Sequence, residues 1–295
     1  MEASFLSTVL LPLALAVIML GLGLSLTPSD FSRIFQRPKA MFVGSFTQLV
    51  LLPVLGFGVA ALMLADSPEL AVGLIILAMC PGGPTSNLIV HLADGDTALC
   101  LSLTAISSIV KIFTIPVMVN IAIQQYMGET QPLQLEVVSS IIKIFTITII
   151  PASIGMLIKA KWNKFAQAAQ KPVKLLSAIF LVLVIVGTVY QEREGIVGFF
   201  KIAGPAALVL NLAGMTLGYF IPQLLNLNLS QRVTISIETS VQNGTLAIAI
   251  ASSPLMLNNS TMAIPAAVYS LIMFLTAGIF VAIIKNRAKT AEAKA

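Results

Sequence analysis

The sequence contains few ionisable residues. Only 10% of its 295 residues are charged, and there is a single histidine. Soluble globular domains carry about 25% charged residues, so this scarcity excludes a soluble fold. Proton relays through membranes chain several Asp, Glu or His residues. A relay of that kind is therefore not expected, and the lone histidine, His91, is interpreted as structural.

Cysteines are also scarce. Cys80 and Cys100 are the only two, and both fall inside apolar stretches. Disulfide frameworks and zinc sites need more cysteines, or histidines, at short regular spacings, so we interpret both thiols as small packing residues. No stretch resembles a phosphate-binding loop or a catalytic triad. We therefore predict that the protein is not an enzyme.

The excess of basic residues does not indicate a nucleic-acid partner. The formal net charge is +5 and the isoelectric point is about 9.3. However, the Lys and Arg residues flank apolar stretches, and no aromatic residues interleave with them to form a basic groove. Retention of loops at the cytoplasmic membrane face explains these residues better. No positively charged segment precedes the first apolar stretch, so a cleavable signal peptide is not expected.

Long apolar stretches dominate what is present. Hydrophobic residues make up 57% of the chain, and the mean hydropathy is +0.97. The stretches reach about 20 residues or more, which is enough to cross a hydrocarbon core about 30 Å thick. Because the connections are short, residues 1–295 form one membrane domain. We predict an all-α integral membrane protein with nine transmembrane helices, near residues 5–26, 40–64, 69–92, 97–125, 134–158, 173–190, 201–222, 231–253 and 262–284.

Three clusters of basic residues set the predicted orientation. They follow the first, fifth and last spans, around Arg37, Lys161 and Lys285. By the positive-inside rule, the N-terminus lies outside and the C-terminus in the cytoplasm of a multi-pass protein in the cell (inner) membrane. Only an odd number of spans brings all three clusters to one face, which supports the count of nine independently of hydropathy.

The third and eighth spans are predicted to be broken helices. Residues 80–87 read CPGGPTSN, in which two prolines remove amide donors and two glycines weaken the helix. Residues 238–245 read ETSVQNGT. Unpaired backbone at membrane depth is tolerated only where it is buried in protein or lines a cavity. The breaks are five spans apart, which points to an inverted repeat. The copy that matches the fifth span is expected before Met1.

Glu238 is the only acidic residue deep inside an apolar span. A charged residue there costs about 2.5–3.5 kcal/mol on insertion scales. A packing acid paired with a base would explain it, as would a proton carrier or a cation ligand. Neutral oxygen donors near the breaks favour a metal cation, because hard cations prefer oxygen ligands. These donors belong to Gln48, Ser86, Asn87, Thr104, Gln242 and Asn243.

Two basic residues, Lys111 and Lys143, lie within spans. Snorkelling or pairing inside the helix bundle is one interpretation. Attraction of an anionic substrate is the other, and the sequence leaves both open.

Three motifs together resemble the bile acid:sodium symporter family. They are residues 21–31 (GLGLSLTPSDF), residues 80–87 (CPGGPTSN) and residues 238–243 (ETSVQN), in order and with family-like spacing. The resemblance implies a ten-span inverted repeat with two sodium sites where the broken helices cross. This chain resembles a nine-span version. The resemblance assigns the first, fifth and sixth spans to a panel subdomain and the other six to a core subdomain.

The resemblance also implies the ligands. The first sodium site would use the side chains of Ser86, Asn87, Thr104 and Glu238, and Cys100 stands where the family has a further serine. The second would use the side chains of Gln48 and Gln242, Glu238, and the carbonyls of Thr239 and Val241. The substrate-binding residues would be Asn243, Thr85 and Pro84, in a crevice between panel and core.

The expected function is sodium-coupled symport of an organic anion by alternating access. The family motif is altered at Gly83, Pro84 and Thr85, so a pantoate-like or keto carboxylate is as plausible a substrate as a bile acid. A monomer in the lipid bilayer is expected. The alternatives are a passive channel, for which the sequence offers no repeated ring of filter residues, and a membrane-embedded receptor.

Overall fold

The computed structural model describes residues 9–27, 29–30, 37–128, 133–191 and 195–292. Within these ranges the chain is helical and contains no β-strand. Residues 5–8 of the first predicted span lie outside the described residues, as do the basic residues Arg33, Arg193 and Lys294.

The described helices follow the predicted spans, except that the helix of the sixth span, predicted at 173–190, begins at Asn163. In chain order they are α1 (Leu11–Gly23), α2 (Pro38–Phe46), α3 (Leu52–Met63), α4 (Pro68–Met79), α5 (Pro84–Leu92), α6 (Thr97–Met127), α7 (Val137–Lys161), α8 (Asn163–Gln191), α9 (Ile196–Leu224), α10 (Leu229–Ser240), α11 (Gly244–Ser252) and α12 (Ile264–Glu292). A π-helical segment, Thr47–Leu51, joins α2 to α3, and a short 3-10 turn, Thr261–Ala263, precedes α12.

Six helical segments of the described chain are long and apolar enough to cross a membrane. They are Pro38–Met63, Thr97–Met127, Val137–Lys161, Asn163–Thr188, Val197–Leu224 and Thr261–Asn286. The helices α1 and α4 are apolar but shorter. The predicted all-α class is confirmed, and the number of long apolar helices is that of a multi-pass membrane protein.

Both predicted interruptions occur, but they are narrower than predicted. The first separates α4 from α5, and the second separates α10 from α11. Pro84 occupies the first position of α5, where its missing amide hydrogen costs no hydrogen bond. Glu238 still lies inside α10, whereas we expected it within the break. The helices resume at Pro84 after the first break and at the capping residue Asn243 after the second. The pattern of residue types alone does not show that the breaks end there.

The two breaks cross each other in the middle of the molecule. Gly82 and Gln242 form an isolated antiparallel bridge. The backbone amide of Asn243 donates to the carbonyl oxygen of Pro81 at 2.9 Å. These bonds satisfy backbone groups that the broken helices leave unpaired. The four half-helices α4, α5, α10 and α11 therefore end or begin close together.

The helices divide into two packing groups around this crossing. Helix α1 packs against α7 and α8, and α7 and α8 also contact each other. Close approach of α1 and α7 requires glycine, because a Cβ on Gly23 would lie 2.0 Å from the carbonyl oxygen of Ala152. The second group contains α3, α4, α6, α9, α10 and α12, with extensive packing of α9 against α10 and α12.

Candidate functional site

The carboxylate of Glu238 is the centre of a buried cluster. Glu238 is 1% exposed. Its Oε1 accepts a hydrogen bond from Thr104 Oγ1 at 2.6 Å, and its Oε2 accepts one from Ser86 Oγ at 2.8 Å. The thiol of Cys100 also donates to Oε2, with a distance of 3.1 Å. Three of the predicted ligands, Ser86, Thr104 and Glu238, are thus brought together from α5, α6 and α10.

Gly82 allows the carboxylate to approach the first break. A Cβ at this position would lie 2.2 Å from Glu238 Oε1 and 2.7 Å from the carboxyl carbon. Any side chain here would displace the carboxylate, so the glycine is required by a close approach. From the sequence, Gly82 is predicted only to weaken the helix at the break.

Asn87 has an incomplete set of hydrogen bonds in the described chain. Both its Oδ1 and its Nδ2 are buried, and neither has a hydrogen-bond partner among the described residues. Leaving a buried amide unpaired costs about 1–3 kcal/mol per group. Asn87 follows Ser86 in α5 and also faces the cavity described below. An oxygen in this state is available to a bound cation.

A second polar group lies on the other side of Gly82. The side-chain amides of Gln48 and Gln242 are 3.0 Å apart. With its amide oriented so that the nitrogen lies 3.2 Å from the carbonyl oxygen of Glu238 and the oxygen 3.1 Å from the Gly82 nitrogen, Gln48 satisfies both groups, and its oxygen then faces the amide oxygen of Gln242. Gln48 belongs to the π-helical segment Thr47–Leu51, and π-helical turns are frequent at functional sites.

The backbone of the second break contributes to this group. The carbonyl oxygen of Thr239 accepts a hydrogen bond from Gln242 Nε2 at 2.8 Å. Val241 follows in extended conformation and is buried. Glu238 reaches this group through its carbonyl oxygen, whereas its carboxylate faces the first group. The amides of Gln48 and Gln242 and the carbonyl oxygens of Glu238 and Thr239 therefore lie together, and Val241 belongs to the same break.

A cavity of about 120 Å³ opens beside the crossing. Residues of α1 and α8, including Ile18, Leu22 and Leu181, line one wall, and Thr85 and Asn243 line the other. No lining residue in the described chain is charged. Pro84 is the first residue of α5, but its side chain is outside what the structure describes.

Two helix N-termini begin at this cavity. They belong to α5 and α11, whose first residues are Pro84 and Gly244. Asn243 is 4% exposed, and its Oδ1 accepts a hydrogen bond from the Leu246 amide at 3.0 Å. Its Nδ2 is buried and has no partner among the described residues. Helix N-termini and a free amide donor favour a negatively charged group.

The donor set fits an alkali cation better than a transition metal. Among the described residues, no group of three or more His, Cys, Asp or Glu side chains is close enough to hold a metal ion. One carboxylate stands instead among hydroxyl, amide and carbonyl oxygens. Hard cations prefer such ligands, and the low negative charge suits a monovalent ion.

Lys111 contacts the end of the first broken helix, which was not predicted from the sequence. Its ammonium group donates to the carbonyl oxygen of Cys80 at 2.6 Å and lies 3.5 Å from that of Ala78. The intramembrane position of the lysine was a signal, but its partners are backbone atoms that no residue pattern identifies. Lys143 is different, because its Nζ donates to the carbonyl oxygen of Leu255 at 2.6 Å, away from the crossing.

Comparison with known proteins identifies relatives that match most of the chain. The sequence profile of the Sodium Bile acid symporter family matches residues 12–199. An uncharacterized sodium-dependent transporter of Bacillus subtilis is 29% identical over 259 residues, which cover 87% of this chain and 77% of the relative. A probable chloroplastic sodium/metabolite cotransporter of rice, Oryza sativa, is 28% identical, covering 99% and 67%. The ileal sodium/bile acid cotransporter of the rabbit, Oryctolagus cuniculus, is 28% identical, covering 81% and 67%.

Proposed function

Because the chain belongs to the Sodium Bile acid symporter family, we propose that it transports an organic anion together with sodium by alternating access. The observation that carries this proposal is the crossing of two broken helices around one buried carboxylate. In many secondary transporters, such discontinuous helices form the ion and substrate binding sites near the bilayer midplane. The sodium-dependent transporters and cotransporters among its relatives support sodium coupling.

We propose two sodium sites at the crossing. The first comprises the side chains of Ser86, Asn87, Thr104 and Glu238. The second comprises the amide oxygens of Gln48 and Gln242, Glu238 through its carbonyl oxygen, and the carbonyl oxygens of Thr239 and Val241. The hydrogen bonds that now converge on the Glu238 carboxylate are donated by hydroxyl groups, whose oxygens become ligands when a cation replaces the hydrogen bond.

The proposed substrate site is the cavity beside the crossing. Its walls are largely apolar and suit the hydrocarbon part of a carboxylate. Its polar end is formed by Thr85, Asn243 and the start of α5. A bile acid and a pantoate-like or keto acid are both compatible with this chemistry, because the anionic group would bind the helix N-termini and the bound sodium rather than a basic side chain.

The cavity also suggests which parts move. The group of α1, α7 and α8 corresponds to the proposed panel, and the remaining helices to the core, in a nine-span topology with the N-terminus outside. Substrate lies between the two groups, so a change in their relative position would expose it to one side and then to the other. We propose that the transporter acts as a monomer.

Reconstituted transport tests the proposed function. Purified protein in proteoliposomes would be given a labelled bile salt, pantoate or a 2-keto acid, with an inward gradient of sodium or of potassium. We expect saturable uptake of at least one of these anions with sodium only. Uptake that is linear in substrate, or equal with either cation, would indicate a passive pathway instead.

Replacement of Gln48 by Ala should weaken sodium binding at the second site. The variant loses one neutral oxygen ligand while the helix remains apolar, so the half-saturating sodium concentration for uptake should rise about threefold or more. Gln170→Ala is a matched control, because the Gln170 amide donates to the Leu24 carbonyl within the α1, α7 and α8 group at 2.7 Å. Equal sodium dependence in both variants would remove Gln48 from the site.

Replacement of Asn243 by Ser should weaken substrate binding. Serine can still cap α11, but it lacks the free amide donor of Asn243. Loss of a hydrogen bond to an anion should raise the half-saturating substrate concentration about tenfold. Asn243→Asp also keeps the cap but adds a negative charge, so the loss should be larger. If the Asn243→Asp variant binds the anion as tightly as the Asn243→Ser variant, the carboxylate of the substrate does not contact this position.

A further inference from the structure

The ends of the two broken helices are satisfied in different ways. At the end of α10, neutral groups donate to the backbone: the Ser240 carbonyl accepts from Asn211 Nδ2 at 2.9 Å and from the Tyr269 hydroxyl at 2.8 Å. At the end of α4, the donor to the Cys80 carbonyl is the ammonium of Lys111. C-terminal carbonyls of half-helices are typical ligands of transported cations. The ammonium group of Lys111 therefore occupies a position that is typical of a transported cation.

Lys111 is also placed to act on the carboxylate of Glu238. It is 1% exposed, and it is the only buried Lys or Arg in the described part of the chain. It lies seven residues after Thr104 in α6, which is two helical turns along the same face and about 10 Å along the axis. Thr104 donates directly to Glu238. Helix α6 thus carries both Lys111 and the hydroxyl group that binds Glu238. Both charges lie at the same pair of breaks.

We propose that Lys111 is a built-in counter-charge to Glu238 that lowers sodium affinity and stabilises the ion-free core. This inference rests on the proposed sodium symport. A buried carboxylate with no positively charged partner is costly. A symporter nevertheless passes through an ion-free state after it releases sodium and substrate. With Lys111 in place, that state carries one positive and one negative charge in the core. The same positive charge repels entering sodium ions.

A counter-charge and a helix cap predict opposite changes in sodium affinity when Lys111 is removed. If Lys111 only caps α4, its removal would distort the break and weaken sodium binding. If it is a counter-charge, its removal strengthens sodium binding, because the repulsion between buried like charges is lost. For two charges about 10 Å apart in the partly polar interior of a protein, such repulsion changes a dissociation constant about threefold or more.

Equilibrium binding of ²²Na⁺ to purified protein provides the test and needs no known substrate. Lys111→Gln keeps hydrogen-bond donors but removes the charge, Lys111→Met removes both, and Lys111→Arg keeps the charge. Lys143→Gln is the matched control, because it removes an intramembrane lysine charge away from the crossing. In Lys111→Gln and Lys111→Met, we expect the half-saturating sodium concentration to fall about threefold or more. Lys143→Gln should keep the wild-type value.

A second readout separates the ion-free state from the loaded states. Net uptake requires return of the empty transporter, whereas exchange with sodium and substrate on both sides does not. With the anion that the uptake assay identifies as probe, Lys111→Gln should slow net uptake more than exchange. Equal slowing of both would contradict the stabilised ion-free state.

The outcomes distinguish this inference from the function on which it rests. No saturable ²²Na⁺ binding by the wild type would overturn the proposed function and this inference with it. Wild-type binding with an unchanged or weaker affinity in both Lys111→Gln and Lys111→Met would overturn the inference alone. An unchanged affinity in both variants is also the result expected if the Lys111 amine carries no charge in the core, and it contradicts the counter-charge in the same way.

Discussion

Replacement of Gly82 by Ala is expected to abolish sodium-dependent uptake. The new Cβ would lie 2.2 Å from Glu238 Oε1, closer than any Cβ contact in a relaxed structure. Either the carboxylate leaves the hydroxyl groups of Ser86 and Thr104, or the two breaks separate. Each change disrupts the first sodium site, and the second site is affected too, because the Gly82 amide contacts Gln48. Uptake in proteoliposomes should fall about a hundredfold or more.

Two further variants show whether the steric conflict is the cause. Gly58→Ala is the control for a glycine in a transmembrane helix, since nothing lies within 4 Å of its added Cβ, and it should transport as the wild type does. Combining Gly82→Ala with Glu238→Asp shortens the carboxylate by one methylene and makes room for the methyl group. Partial recovery relative to the two single variants would demonstrate coupling. Full activity of Gly82→Ala alone would contradict the close approach.

The sequence was sufficient for the all-α class and for the approximate places of the apolar helices. Hydropathy indicates these places because each span is a long apolar run, whereas six helical segments of the described chain, not nine, are long and apolar enough to cross a membrane. Proline and glycine in residues 80–87 marked a helix break because both residues act locally on the backbone. Glu238 was identifiable because a carboxylate within an apolar span is rare and costly. These signals depend on single residues or on neighbours in the chain.

The remaining features depend on contacts between distant segments. Ser86 and Glu238 are 152 residues apart, and only the packing of α5 against α10 brings them together. The partners of Lys111 are backbone carbonyls, which no side-chain pattern reports. Cys100 was interpreted as a packing residue, yet its thiol contacts the carboxylate. The sequence could predict that these residue types serve one site, but not their mutual geometry.

The neutral lining of the cavity has a consequence for coupling. The proposed carboxylate substrate would find no basic side chain among the described lining residues, so its charge would be balanced by the helix N-termini and by bound cations. Sodium bound at Ser86 and Asn87 would lie in the first turn of α5, next to Thr85 at the cavity. Substrate binding should therefore depend on sodium because the cation supplies part of the attraction, and the two affinities are reciprocally linked.

Replacement of Glu238 by Gln is expected to weaken sodium binding at both proposed sites. The amide keeps the shape of the side chain and one oxygen ligand, but it lacks the negative charge that offsets two cations. The carboxylate of Glu238 faces the first group directly, and the backbone carbonyl of the same residue contacts the second. We expect the half-saturating sodium concentration for substrate binding to rise about tenfold or more, with a larger loss at the first site.

Ser86→Ala is the matched variant for this prediction. It removes one neutral ligand from the first site and leaves the charge of Glu238 in place, so the second site should be retained. Substrate binding across a sodium titration, at constant ionic strength, compares the midpoint and Hill coefficient of wild type, Glu238→Gln and Ser86→Ala. A shared charge predicts a large shift for the Gln variant and a smaller one for the Ala variant. If Glu238→Gln retains the wild-type midpoint and steepness, one carboxylate does not serve both ions. An equal response to potassium would show that the effect is one of ionic strength rather than of sodium binding.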